Sequence, residues 1–229
     1  VHGALSGTAP NLTFTPAAGY VGNDSFTFKA NDGTADSNIA TVSIIVGDQD
    51  PTLTLFWKLD ETGGTVASDS SGASHPGTLT NGPLWTSGKV GGAVSFADGD
   101  DMILTTQVVT IGSNWTIGAW FTAPLPNTAT WHTLTRAQTG GGDHQIITDG
   151  SLNLGMYDNA TGGAFRGCGF NLGGLTAGWH HIASVGSGTT ATFYVDGVNV
   201  GVSDRKSSSD VYAVGNYQGG GQRFTDKLD

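Results

Sequence analysis

Short stretches of alternating apolar and polar residues run along the chain, and none shows the apolar stripe, three and four residues apart, that a helix requires. This alternation places apolar side chains on one face of a strand, and turn residues separate the strands. Apolar positions before residue 50 alternate at Leu12 and Phe14, at Phe26, Phe28 and Ala30, and at Ala40, Val42, Ile44 and Val46. The pattern predicts about three strands here, which is half of a sandwich.

The alternation resumes after residues 47–51, which read Gly-Asp-Gln-Asp-Pro and are typical of a linker between domains. Asp196-Gly197 lies between two apolar runs and predicts a two-residue hairpin. Alternating positions that predict strands are Leu53, Leu55, Trp57 and Leu59; Trp115, Ile117, Ala119 and Phe121; His181, Ala183 and Val185; and Phe193 and Val195. We predict a second, larger antiparallel β-sandwich.

Composition supports an all-β protein with a substantial core. Hydrophobic residues make up 37% of the 229, whereas charged residues make up 12%, against about 25% in an ordinary domain. The net charge of -10 and the nine scattered Lys and Arg residues argue against a nucleic acid partner. No run approaches the roughly 18 apolar residues of a membrane span. Cys168 is the single cysteine, so no intrachain disulfide is expected, and a buried thiol is favoured over a nucleophile.

Residues 3–46 read GALSGTAPNLTFTPAAGYVGNDSFTFKANDGTADSNIATVSIIV and resemble the second half of bacterial cadherin-like or Ig-like tandem repeats. The resemblance implies a partial Ig-like sandwich at residues 1–47, followed by a linker at 48–52. In cadherin-type arrays, acidic linker residues hold calcium, so the resemblance makes Asp48 and Asp50 candidate ligands. A solvated linker without an ion is the alternative.

Residues 53–229 resemble the laminin-G-like family of concanavalin A-like jelly rolls. The family normally ends with a Gly-x-Leu-Asp-Glu-Val-Arg-Ile-Tyr strand beside the first strand of the domain. The sequence given ends at Asp229, so the closing strand is expected to be absent, and the open sheet edge would be a template for a neighbouring copy of the chain. The blocks that carry the resemblance include Trp57-Lys58-Leu59-Asp60-Glu61-Thr62, Lys89-Val90-Gly91-Gly92-Ala93-Val94-Ser95-Phe96, Trp115-Thr116-Ile117-Gly118-Ala119-Trp120, Trp179-His180-His181-Ile182-Ala183 and Tyr194-Val195-Asp196-Gly197.

The single glutamate, Glu61, argues against catalysis. Related glycosidases need two carboxylates about 5–5.5 Å apart, and the resemblance would require a Glu-x-Asp-x-Glu strand that this sequence lacks. No nucleophile elbow, zinc-protease motif or phosphate loop is present. His180 and His181 are adjacent on a predicted strand, so they face opposite sides and are poor joint metal ligands. We therefore predict that the chain is not an enzyme.

Calcium is the metal that the acidic turns favour, because it binds carboxylate and carbonyl oxygens. The resemblance places a structural ion between the turn that begins at Asp69 and the closing-strand Asp229. Asp100 and Asp101 belong to a second acidic turn. Turns closed by aspartate side chains, with no ion, are the alternative for both.

Sugars are bound by exposed aromatic rings surrounded by planar polar side chains. Trp131 is the strongest candidate because small polar residues flank it. The leading hypothesis is a non-catalytic extracellular module that recognises a polysaccharide or glycoprotein glycan, or mediates adhesion, in a large bacterial surface or secreted protein. The alternatives are a calcium-stabilised spacer or filament subunit, and an accessory domain of a secreted polysaccharide-degrading enzyme. Candidate ligand-binding residues are Trp131, His132, Arg136, His144, Tyr157, Arg166 and Tyr217.

Overall fold

A computed structural model describes residues 2–17, 20–47, 52–126, 131–139 and 141–229, and strands form nearly all of its regular structure. The described residues of Val1–Phe56 and Ser70–Ala73 form one compact unit, and those of Trp57–Asp69 and Ser74–Asp229 form a second. The candidate calcium ligands Asp48 and Asp50 lie outside the described residues, as does most of the predicted linker. None of the helices described has the length and hydropathy needed to cross a membrane.

The first unit consists of two antiparallel hairpins. β1 (Gly3–Thr8) pairs with β2 (Asn11–Pro16), and β3 (Gly22–Phe28) pairs with β4 (Ala40–Val46). The predicted strands correspond to β2, β3 and β4, although β3 ends before Ala30; β1 is an additional strand whose residues alternate too weakly to be recognised. Among the described apolar residues of this unit, Val46 is buried while Leu5, Leu12 and Ile45 are exposed. The hairpins bury little apolar surface, as expected for part of a sandwich.

The second unit is a sandwich of two antiparallel sheets, as predicted. Its strands are β5 (Val66–Ala67), β6 (Gly77–Thr80), β7 (Leu84–Ser87), β8 (Gly92–Ser95), β9 (Met102–Thr110), β10 (Trp115–Ala123), β11 (His132–Arg136), β12 (His144–Thr148), β13 (Asn153–Asp158), β14 (Ala164–Asn171), β15 (Gly178–Ser187), β16 (Thr190–Val195), β17 (Val198–Ser203), β18 (Asp210–Val214) and β19 (Lys227–Leu228). One sheet has the order β17-β16-β15-β10-β19-β8-β7, and the other β14-β13-β12-β11-β18-β9-β6-β5. A 3-10 helix, Leu172–Gly174, follows β14.

Large apolar side chains from both sheets fill the core. Phe121 packs edge-on against Phe224 with their ring centroids 5.4 Å apart. Cys168 is buried as a free thiol, in keeping with the expectation from the sequence. The largest fully buried side chains include Phe96, Phe121, Phe193, Phe224, Met102, Ile103, Leu134, Ile146, Leu154, Met156 and Ile182.

The core face of β15 is the opposite of the predicted one. Directly paired residues of neighbouring strands lie on the same face of a sheet. His180 of β15 pairs with Phe121 of β10, which is fully buried. The buried face of β15 therefore carries His180, Ile182 and Ser184, whereas His181, Ala183 and Val185 lie on the other face. The apolar pattern predicted the wrong face because Ser184, a polar residue, occupies a fully buried position. As predicted, the two adjacent histidines face opposite sides.

The predicted first strand at residues 53–59 is not formed. Trp57 makes an isolated bridge to Asp69. Leu59 has a φ of 55°, in the left-handed region, so an extended strand cannot continue through it.

The last described residues form a short strand, although the closing strand was expected to be absent. Lys227 and Leu228 form β19, which lies between β8 and β10 in the interior of the sheet. The backbone of Asp229 extends the ladder, with hydrogen bonds to and from Trp120. Leu228 pairs with Phe121 on one side and with Val94 on the other, and these pairings set the register of this two-residue strand between its neighbours.

The hairpin at Asp196-Gly197 is formed as predicted. Both residues have positive φ, 50° and 78°, and they join β16 to β17. These values suit the two-residue turn that matches the twist of antiparallel strands.

Phe193→Ala tests the core of the second unit. Because the ring is fully buried, its removal is expected to lower the free energy of unfolding by about 3–5 kcal/mol. Urea titration followed by tryptophan fluorescence measures it, since all six tryptophans belong to the second unit. Val198→Ala, at a position that is 64% exposed on the adjoining strand, is the control and should change it by about 0.5 kcal/mol or less. Equal losses in the two variants would contradict the described packing.

Candidate functional site

A depression of about 200 Å³ lies on the eight-stranded sheet. Strands β11, β12 and β13 supply most of its lining. The residue just before β11, the turn after β13 and the loop before β19 supply the rest. The lining residues are Trp131, Arg136, His144, Ile147, Tyr157, Asn159 and Gln222.

Two register shifts bring these side chains to the same face. The pairing of β11 with β12 shifts between Thr133 and Thr135, and that of β12 with β13 shifts between His144 and Ile147. In a regular strand, residues three apart face opposite sides, and an extra residue at a bulge reverses this alternation. Accordingly, Thr133 and Arg136 both contact His144, and His144 and Ile147 both line the depression.

A directed chain of hydrogen bonds connects the polar side of the depression. Arg136 Nη1 lies 2.6 Å from His144 Nε2, and a guanidinium only donates, so Nε2 accepts. A neutral His144 then carries its proton on Nδ1, which donates to Thr133 Oγ1 over 2.9 Å. The Thr133 hydroxyl in turn donates to Gln222 Oε1 over 2.7 Å. The chain fixes the tautomer of His144 and the orientation of the Gln222 amide.

Burial controls the protonation of this chain. Burial is the larger cause and the positive charge of Arg136 the smaller one, and together they lower the pKa of His144 to about 3. His144 is therefore neutral across the physiological range, as its hydrogen bond from Arg136 requires. Burial also lowers the pKa of Arg136, with Tyr217 and Asp143 opposing the shift. The Arg136 guanidinium lies over the Tyr217 ring, 4.7 Å from its centroid.

The opposite side of the depression is aromatic. The rings of Trp131 and Tyr157 meet edge to face with centroids 5.3 Å apart, and Trp131 also lies 5.8 Å from Phe165. Tyr157 then approaches His144 at 6.1 Å. An aromatic surface is thus fixed beside a cation and an amide.

Five of the seven predicted ligand-binding residues come together here. Trp131, Arg136, His144 and Tyr157 line the depression, and Tyr217 stacks on Arg136. Their role in binding stays a prediction.

His132 and Arg166 do not belong to this cluster. His132 is buried on the other side of β11, where its Nδ1 lies 2.8 Å from the carbonyl oxygen of Arg223. Arg166 lies 3.6 Å from Asp204. Both positions agree with strand alternation. His132 is next to Thr133, which contacts His144, and Arg166 is next to Phe165, which contacts Trp131.

Sequence reasoning missed four residues of the site. Thr133 and Ile147 look like ordinary strand positions, and only the register shifts direct them to the depression. Asn159 directly follows β13, and Gln222 follows three glycines. The sequence predicts a loop at both positions, but nothing in it predicts that the two loops line the same depression.

The structure does not gather the predicted metal ligands into one centre. Among the described residues, no three His, Cys, Asp or Glu side chains are arranged to hold a metal ion. Asp69 Oδ2 accepts a hydrogen bond from the His75 amide at 2.8 Å, and Asp229 Oδ2 accepts one from the Val90 amide at 2.7 Å.

Asp101 differs from these two carboxylates. It is fully buried, and its Oδ2 accepts hydrogen bonds from the amides of Ala97 and Asp98 at 2.8 and 3.0 Å. Its Oδ1 is buried without a hydrogen-bond partner. Asp100 contributes its carbonyl oxygen to a bond from Asn81. A buried carboxylate oxygen without a partner is an exception to the usual pairing of buried polar groups.

His144→Gln tests the protonation of the site. The pKa of His144 is about 3 in the folded chain, against an ordinary 6.5, so between these values the unfolded chain binds more protons. His144 therefore contributes stability that is present above pH 6.5 and is lost as the pH falls towards 3. We expect urea titrations at about pH 7 and about pH 4.5 to show a smaller acid-induced loss of unfolding free energy in the variant than in the wild type.

The pKa of His132 is also lowered by burial, but His132 is unchanged in both proteins, so its contribution cancels. Equal acid-induced losses in the two proteins would show that His144 is not held neutral by its surroundings.

Comparisons with known proteins agree with this architecture. A family model described as the concanavalin A-like lectin/glucanases superfamily matches residues 96–229, and one described as a bacterial Ig domain matches residues 1–45. Both agree with the resemblances seen in the sequence. A comparison with curated protein sequences found no match.

Solved structures with the same fold include domain 4 of AbnA, a GH43 extracellular arabinanase from Geobacillus stearothermophilus, in complex with arabinotriose. The identity is 17% and the TM-score 0.53, covering 71% of this chain and 83% of that one. A Trypanosoma rangeli sialidase is 13% identical with a TM-score of 0.48, covering 74% of this chain and 28% of its own. The carbohydrate binding module CBM66 from Bacillus subtilis is 16% identical with a TM-score of 0.42, covering 66% and 89%.

The sandwich topology and a family match over more than half of the sequence lead to the same conclusion. The chain belongs to the concanavalin A-like lectin/glucanases superfamily.

Proposed function

We propose that the second unit is a non-catalytic carbohydrate-recognition module and that the depression beside Trp131 is its binding site. The observation that carries the proposal is the placement of the Trp131 and Tyr157 rings beside the donors of Arg136 and Gln222. A sugar offers an apolar face to a ring and hydroxyl groups around its rim, so it needs both kinds of surface. The hydrogen-bond chain holds the polar side in place before a ligand arrives.

Recognition is favoured over hydrolysis because the described residues that line the depression offer no acid for the reaction. They include no aspartate or glutamate, whereas glycoside hydrolysis ordinarily uses a pair of carboxylates across the scissile bond. The single glutamate of the chain, Glu61, lines a different cavity, where its Oε1 accepts a hydrogen bond from the Ser68 amide.

We further propose an extracellular location, in a bacterial surface or secreted protein. The match of residues 1–45 to a bacterial Ig domain supports this. The arabinanase domain of similar fold belongs to an extracellular enzyme and holds arabinotriose, so arabino-oligosaccharides belong among the first ligands to test. Adhesion, a spacer role and self-association through a sheet edge stay predictions, and sedimentation over a range of protein concentrations tests the last of them.

Trp131→Ala is expected to weaken binding of any glycan recognised on an array by about 30-fold, the size of a truncated aromatic hot spot. Trp120→Ala is the matched control, because this half-buried ring lies on the other sheet against His181 and Lys89. The control should bind as the wild type does. Loss of binding in Trp120→Ala with Trp131→Ala unaffected would move the site to the other sheet, and a blank array would contradict recognition altogether.

Calcium binding at Asp101 is a separate proposal. It is supported by the buried Oδ1 that has no partner; when bound, the ion would neutralise this carboxylate and tie the turn at residues 97–101 to its surroundings. Asp101 would hold it through Oδ1, whereas the carbonyl oxygens of Ala97, Asp98 and Gly99 already accept hydrogen bonds.

Removal of calcium tests this second proposal. Calcium at about 100 times its Kd stabilises a protein by about 2.7 kcal/mol, so EDTA should lower the Tm of the wild type by several degrees, and excess calcium should restore it. Asp101→Asn should abolish the response to EDTA. If the wild type melts at the same temperature in both solutions, Asp101 only closes its turn.

A further inference from the structure

We propose that the depression selects saccharides that carry a carboxylate group, with Arg136 as the counter-ion and the Gln222 amide as a second donor. This inference rests on the proposed function and names the class of sugar that the same site prefers. Uronic acids and sialic acids share this chemistry.

The depression carries an unbalanced positive charge. Arg136 is the one charged residue in its lining, and among the residues described no carboxylate lies within 4.0 Å of the guanidinium. His144 cannot balance the charge because it is neutral and accepts from Arg136 through its lone pair. A partly buried guanidinium without a counter-ion is costly, and an anionic ligand removes that cost.

Asp143 is the carboxylate whose charge acts on Arg136, and it already accepts hydrogen bonds from backbone amides. Asp143 is buried, and its Oδ1 accepts hydrogen bonds from the amides of Asn159 and Ala160 at 2.8 and 3.0 Å. Burial raises the pKa of Asp143, and its hydrogen bonds from these two amides oppose the shift. The cation therefore remains available to a ligand.

The hydrogen bonds on the polar side of the depression all run in one direction. In the chain from Arg136 through His144 and Thr133, each member donates towards Gln222 Oε1. The acceptor end of the Gln222 side chain is occupied, so its NH₂ group is the part free to meet a ligand. The guanidinium makes one hydrogen bond among the described residues, and its Nε is buried without a partner. The polar side of the depression thus offers donors, and a carboxylate is a group that only accepts.

A glycine leaves space beside the Arg136 guanidinium. Gly142 has a φ of 76°, and a Cβ placed on it would lie 2.7 Å from Arg136 Nη2. A side chain at this position would press on the terminal nitrogen. Glycine therefore lets the guanidinium take the position that it occupies at the edge of the depression.

Isothermal titration with matched pairs of ligands tests the inference. The probes are tri-galacturonic acid and 3′-sialyllactose, each against its own methyl ester. The members of each pair differ in carboxylate charge, and the two pairs separate uronic from sialic acids. We expect the wild type to bind at least one acid about 10- to 100-fold more tightly than its neutral partner, the size of a hydrogen bond to a charged group. The preference should shrink as salt is added.

Arg136→Gln should erase this preference, because the acid and its neutral partner then meet an uncharged side chain at this position. Arg166→Gln is the matched control, because it makes the same change of charge at an arginine that faces Asp204 outside the depression. The control should keep the preference. Melting curves of both variants establish that they fold, and the comparison of acid with ester in the wild type does not depend on either variant.

Each outcome has a distinct meaning. Equal affinity of the wild type for acid and neutral partners would overturn the carboxylate preference and leave carbohydrate recognition standing, as would array signals confined to neutral glycans. A preference that survives Arg136→Gln but is lost in Arg166→Gln would also overturn it. Absence of binding to every glycan on the array would overturn the proposed function itself, and the inference with it.

Discussion

The candidate site depends on two shifts in the pairing of β11, β12 and β13. Strict alternation would direct Thr133 and Arg136 to opposite faces of the sheet, and one of them would enter the core. The shifts instead allow both to contact His144. A β-bulge is a local cost in backbone pairing, and here it directs a cation and a hydroxyl to one face of an otherwise regular sheet.

Burial then determines the chemistry of that face. A charged imidazole beside Arg136 would place two positive charges in a poorly solvated position, so His144 loses its proton and becomes an acceptor. Its neutral form orients Arg136 on one side and Thr133 on the other, and Thr133 orients Gln222. A set of four side chains is thus held in one arrangement without a carboxylate, which leaves the charge of Arg136 available for a partner from outside.

Much of the fold follows from alternation, and the failures have local causes. The period of two found β10 and β16 because their core positions are apolar, as at Phe121 and Phe193. It inverted β15, where Ser184 is buried, and it predicted a strand through Leu59, whose left-handed backbone cannot be read from its apolar side chain.

The site was partly predictable for a related reason. Trp131, Arg136 and Tyr157 were predicted because they are aromatic or basic, whereas the place of Gln222 depends on tertiary contacts that bring a glycine-rich loop to β11.

Binding of a sugar at Trp131 is the central claim, and the six tryptophan indole N–H signals in a ¹H–¹⁵N NMR spectrum test it directly. On titration with the glycan that binds best on the array, the Trp131 signal, assigned with Trp131→Phe, should shift most. A shift at Trp85 or Trp120 with Trp131 unmoved would contradict the account.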